Sequence, residues 1–103
     1  MYLYNITCRV ENKIFESWQS WVLENKIPAL MASGFFSGYR FCALLGEELT
    51  DARTFALQFH CDSREALQKF QNGAKGEFLE QQSSLFGEDV LTFSSLLQIH
   101  SEG

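Results

Sequence analysis

Two periodicities alternate along this chain. Residues 1–10, MYLYNITCRV, place Tyr2, Tyr4, Ile6, Cys8 and Val10 at every second position, with Leu3, Asn5, Thr7 and Arg9 between them. That two-residue period predicts a strand with one oily face and one more polar face. Over 13–25 the period changes. Ile14, Phe15, Trp18, Trp21 and Val22 recur at helical spacing, opposite Lys13, Glu16, Gln19, Ser20 and Glu24. Pro28, the only proline, has no amide donor and disfavours helical geometry at Ile27. The helix is therefore expected to end near Lys26. A separate short turn, 28–33, then starts with Pro28 in its first turn and stops at Gly34.

Residues 35–46 and 53–61 read as strands, joined by an acidic, polar loop from Gly46 to Arg53. Asp62 and Glu65 have the spacing of a capping box, so a helix is expected to begin at Asp62. Leu67, Phe70, Ala74 and Phe78 carry its apolar stripe, and Gly73 with Gly76 predicts a break or bend. A last turn around Ser83–Phe86 stops at Gly87. Residues 90–99 form a final strand with Leu91, Phe93, Leu97 and Ile99 on one face. The order β-α-β-β-α-β belongs to the α+β class. It is the ferredoxin-like arrangement, a four-stranded antiparallel sheet with two helices on one face.

Helices can cover only one face of such a sheet. Phe55, Leu57, Phe59 and Cys61 form the helix-facing set of the third strand, which leaves Thr54, Ala56, Gln58 and His60 on the open side. The first strand adds Leu3, Asn5, Thr7 and Arg9 there, and the last is expected to add Thr92, Ser94, Leu96 and Gln98. If Tyr39 and Phe41 face the helices, then Phe36, Arg40, Cys42 and Leu44 join the open face. Such a mixture of apolar and hydrogen-bonding groups marks an interface. A second copy of the sheet, packed face to face about a two-fold axis, would cover it as a barrel-like dimer. The polar residues would then line a cavity suited to a small molecule.

At 103 residues the chain has the length of one domain, taken as 1–103. Its 46% hydrophobic content, with ten phenylalanines, excludes disorder. A net charge of −5 argues against nucleic acid and against an anionic membrane surface as partners. The basic-aromatic run of an RNA-binding βαββαβ domain is also missing. Three well-separated cysteines, Cys8, Cys42 and Cys61, read as buried thiols in a reducing compartment, and the N-terminus lacks the pattern of a signal peptide. The expected location is the cytoplasm.

Four stretches together carry a resemblance. They are MYLYNITCRV, WQSWVLENKIPALMASGFF, FALQF and LFGEDVLTFSSLL. They resemble a domain-of-unknown-function family of short bacterial proteins in the dimeric α/β-barrel, ferredoxin-like superfamily. The resemblance implies the fold and homodimerisation. Two positions depart from the family pattern: Lys26 stands where relatives carry histidine before Ile-Pro, and Ser94 and Ser95 follow Phe93 where relatives read Arg-Thr. Superfamily relatives include cofactor-independent monooxygenases, isomerases and decarboxylating enzymes, and fold alone does not choose among them.

His60, Cys61 and Asp62 are adjacent, but neighbours on a strand point apart, so no metal site is expected. No phosphate loop, nucleophile elbow or dinucleotide fingerprint occurs, and no cofactor is implied. His60 is the candidate for proton transfer, its alternative being an ordinary histidine near a strand end. Arg40 needs a partner, either a ligand carboxylate or a glutamate across the dimer. Trp18 and Trp21, three apart on one helix face, are expected to pack the core with each indole N–H finding a carbonyl, the alternative being that they line a ligand pocket. Lys26 reads as a cation at a helix C-terminus, complementing the helix dipole. The candidate ligand-binding set is Asn5, Thr7, Arg40, Gln58, His60 and Ser94. Three readings follow: a homodimeric small-molecule binding protein, a cofactor-independent enzyme of the dimeric-barrel type, or a structural interaction module without a ligand.

Overall fold

Alternate residues of β1 (Tyr2–Glu11) turn inward, and Tyr4, Ile6, Cys8 and Val10 are buried as their period demands. The computed structural model describes residues 1–46 and 51–103. Within them β2 (Gly38–Ala43), β3 (Ala52–Cys61) and β4 (Val90–Gln98) join β1 in one antiparallel sheet of order β2-β3-β1-β4. The helices pack on one face. This is the expected α+β ferredoxin-like βαββαβ order. Of the expected loop Gly46–Arg53, residues 47–50 lie outside the described residues, and Ala52 already belongs to β3.

The first helical layer departs from expectation at the proline. Helix α1 (Phe15–Trp21) does not end at Lys26; it passes through a wide π-helical turn, Val22–Lys26, into α2 (Ile27–Ala32). Ile27 keeps right-handed helical angles (φ −61, ψ −49) and its N–H bonds to Val22 O, five residues back. A proline ring in a regular helix strikes the carbonyl four residues earlier. Here that residue is Glu24, inside the wide turn, where the ladder is already opened. Lys26 therefore lies within a continuous helical path and not at a C-terminus. Its Nζ instead sits 5.7 Å from the centroid of the Trp21 ring. Gly34, with φ 82, does stop the helix as its missing Cβ allows.

The second layer repeats the device without a proline. Helix α3 (Arg64–Lys69) leads through a wide turn, Phe70–Ala74, into α4 (Lys75–Phe86). Gly73 lies in that turn, so the expected bend takes this form. The N-cap is Ser63, whose Oγ accepts from Ala66 N at 3.1 Å. Asp62 does not cap; its Oδ1 accepts from Ser37 Oγ at 3.3 Å. Extended angles at Ser63 (φ −135, ψ 148) place its shorter side chain under the first turn. The expected separate turn at Ser83–Phe86 is instead the end of α4, which stops at Gly87 (φ 57).

Between the helices and the sheet lies one aromatic-rich core. Phe36 stacks on Phe59 at 4.6 Å, and Phe70 meets Tyr4 and Phe36 edge-on, both at 4.9 Å. Each fully buried phenylalanine contributes about 1.5–3 kcal/mol. Phe36 thus belongs to the core, not to the open face. The turn at Gly34 swings it inward before β2 begins, which shortens that strand from the expected 35–46.

Candidate functional site

Residues paired across neighbouring strands share a face, so the register assigns the open side directly. One row crosses the whole sheet: Arg40 pairs with Gln58, Gln58 with Asn5, and Asn5 with Ser95. All four are polar. Strands lie about 4.8 Å apart, so the row spans roughly 14 Å. On one side of it run Gly38, His60, Leu3 and Leu97; on the other run Cys42, Ala56, Thr7 and Phe93.

Hydrogen bonds join the middle of this row, and others tie it to the neighbouring rows. Gln58 Nε2 donates to Asn5 Oδ1 at 3.2 Å, and Asn5 Nδ2 donates to Thr7 Oγ1 at 3.1 Å. Arg40 Nη2 lies 3.3 Å from His60 Nε2. A guanidinium only donates, so in this contact the ring nitrogen can only accept. Among the described residues Arg40 makes no ion pair. As a residue of the edge strand β2 it is exposed in the single chain, so its charge is solvated rather than buried. Arg9, on the same face, is occupied by Glu11 (3.9 Å) and Asp51 (3.7 Å).

The phase of β4 corrects one candidate. Ser94 pairs with Ile6 and lies on the helix-bearing side with Thr92, Leu96 and Gln98. The open face receives Leu91, Phe93, Ser95 and Leu97 instead. Val90 decides this: it is buried opposite Val10, and Thr92 accepts from Gln82 Nε2 at 2.8 Å on the core side. Every second residue after Val90 must then face inward. The result is an exposed apolar end, with Phe93 at 69% and Leu97 at 47% relative exposure. Asn5, Thr7, Arg40, Gln58 and His60 do come together, and Ser95 is the member missed from sequence. Leu96 and Leu97 are adjacent and equally apolar, so β4 carries no alternation that would have revealed it.

The remaining candidates serve packing, except Cys42, which is exposed on the open face and not buried as expected. Cys61 points away from His60 into the core, its Sγ 3.3 Å and 3.2 Å from the carbonyl oxygens of Phe35 and Ser63. No group of three metal-ligating side chains occurs among the described residues. Burial pushes the Cys8 thiol up to about 11, partly offset by contact with Thr92. Trp18 is buried, and its Nε1 donates to Gln82 Oε1 at 3.0 Å, a side-chain carbonyl. Trp21 packs on Phe78 and Phe86 at 5.5 Å and 5.7 Å. No helix among the described residues is long and apolar enough to cross a membrane.

Comparison with known proteins places this geometry. The family model described as "Domain of unknown function (DUF4286)" matches residues 1–100. No curated protein matches significantly. A dimeric ferredoxin-like protein from an uncultured marine organism has TM-score 0.69 at 16% identity, covering 100% of this chain and 98% of its own. A protein from Deinococcus radiodurans, proposed to be an antibiotic biosynthesis monooxygenase, has TM-score 0.72 at 12% identity, covering 99% and 95%. A variant of MhuD with two manganese protoporphyrin IX molecules bound per active site has TM-score 0.61 at 16% identity, covering 98% and 97%. Identities this low show a shared fold.

Proposed function

This chain belongs to that family of unknown function, and from its geometry we propose a homodimer that binds a small, partly apolar molecule between two open sheet faces. The observation that carries the reading is the polar row Arg40–Gln58–Asn5–Ser95, flanked by exposed Phe93 and Leu97. Exposed apolar side chains in such a cluster favour a covering partner. A second copy supplies a matching surface by symmetry. The marine neighbour is itself described as dimeric, and the MhuD neighbour holds its ligands in an active site. A few hydrogen-bonding groups between apolar walls are the usual composition of a small-molecule site.

Light scattering on micromolar protein tests the association. The expected mass is twice the 11.8 kDa of the chain. Phe93→Glu places a charge in the covered face and is expected to give a folded protein of single-chain mass. A single-chain mass for the unmodified protein would overturn the reading.

A second reading is a cofactor-independent enzyme of the same barrel type, with His60 as the proton shuttle. The place of His60 on the open face, beside Arg40 and paired across the strands with Leu3, supports it, since an imidazole there can meet a bound molecule. A turnover that survived in His60→Ala would remove that role.

A further inference from the structure

The two ends of the polar row differ in chemistry, and the difference has a direction. At the β2 end stand Arg40 and His60, in contact at 3.3 Å. Arg40 has no carboxylate partner among the described residues, although Arg9 on the same face has two. In the middle, Gln58 and Asn5 present amide donors and acceptors. At the β4 end, Ser95 sits between the rows that carry Phe93 and Leu97, both exposed. Charge, then neutral hydrogen bonding, then apolar surface follow one another over about 14 Å.

We infer that the ligand of this face is an amphipathic monocarboxylate lying along the row. Its carboxylate meets the Arg40 fork beside His60, and its apolar body lies over Phe93 and Leu97. A guanidinium matches the planar carboxylate with two parallel donors, and a charge-assisted pair is stronger than a neutral one. Gln58 and Asn5 receive any hydroxyl or carbonyl along the body. A cationic ligand finds no carboxylate in the row, and a wholly apolar one would cover the Arg40 charge without pairing it. This assignment of ligand class rests on the reading that the face binds a small molecule.

Three probes with one apolar body separate the two statements: 2-naphthoate, 2-naphthamide and 2-naphthylmethylammonium, each titrated calorimetrically into the full chain. The carboxylate is expected to bind about tenfold or more tighter than the amide, and the ammonium weakest. Arg40→Gln is expected to erase the preference for carboxylate while leaving the amide affinity in place. Arg40→Lys keeps the charge without the fork and should restore only part of it. Arg9→Gln removes an arginine already paired and should change nothing. Equal affinity for acid and amide, or a preference that persists in Arg40→Gln, would overturn the ligand class and leave the binding face standing. Absence of binding by all three probes up to millimolar concentration would overturn both. Arg40 is exposed on an edge strand, so its variants should keep the thermal midpoint of the parent, which separates lost recognition from lost fold.

Discussion

Trp18 and Gln82 are joined by a buried hydrogen bond of 3.0 Å, and the same amide donates onward to Thr92 Oγ1 at 2.8 Å. One side chain thereby ties α1 to α4 and α4 to the edge strand β4. Gln82 is the buried polar side chain among the described residues, and both halves of its amide are used. Gln82→Ala should cost about 2–4 kcal/mol, from the cavity and the orphaned indole N–H. Gln82→Met fills the space but not the bond and should cost less. Urea denaturation of the three proteins gives the ranking, and equal midpoints would contradict it.

Two glycines should respond in opposite directions. Gly87 ends α4 with φ 57 and ψ −134, where a side chain is strained. Gly87→Ala is expected to destabilise by at least about 1 kcal/mol. Gly73 lies in a helical turn with no positive φ, and a Cβ there would meet nothing within 4 Å. Gly73→Ala should stabilise by about 1 kcal/mol, the usual gain in helix propensity. Thermal midpoints moving the same way would refute the pairing.

Proline in an uninterrupted helix costs about 3 kcal/mol, so its removal there would recover a similar amount. Pro28 follows a wide turn that has already opened the ladder. Pro28→Ala is accordingly expected to change stability by less than about 1 kcal/mol in chemical denaturation. A gain near 3 kcal/mol would mean that the wide turn does not relieve the proline.

Burial raises the Cys8 thiol from an ordinary 9.0 to about 11, so the folded chain holds this proton more tightly than the unfolded one. Below pH 9 both states keep it and its stabilising effect is whole. Between pH 9 and about 11 the unfolded thiol ionises first, and stability falls by up to about 3 kcal/mol. Denaturation midpoints at pH 8 and pH 10.5 should therefore diverge more in the parent than in Cys8→Ala. An identical loss in both would assign the alkaline effect to other groups.

The sequence was most legible where one periodicity ran alone. Strand β1 alternates without exception, and its buried set is the one expected. It was least legible where both faces of an element are apolar. In β4 the adjacent Leu96 and Leu97 fit either phase, and only Val90 against Val10 settles it, a contact between residues eighty positions apart. Phe36 was similarly ambiguous, because a strand pattern and an inward turn look alike when every neighbour is aromatic or small. Asp62 and Ser63 are both good caps, and backbone angles rather than residue type chose Ser63. Asn5, Thr7, Gln58 and His60 could be placed on the open face because β1 and β3 have one clear face, whereas Arg40 followed only on the condition that Tyr39 and Phe41 turn inward, as the pairing of β2 with β3 has them. Ser95 was missed for the same reason that Ser94 was chosen in its place.

The edge position of β4 has a consequence beyond ligand chemistry. From Val90 to Ile99 the chain runs ten residues without a charge or a proline, and β4 lies at the border of the sheet. Its outer rim of amide and carbonyl groups, together with exposed Leu91, Phe93, Leu96 and Leu97, is a template for any extended chain. Only Glu88 and Asp89, just before the strand, act as gatekeepers. In the proposed dimer the partner covers Leu91, Phe93 and Leu97, so dilution to single chains would expose this strand even where folding is complete. The fate of a freshly made copy is a race between meeting its proper cover and recruiting an improper one.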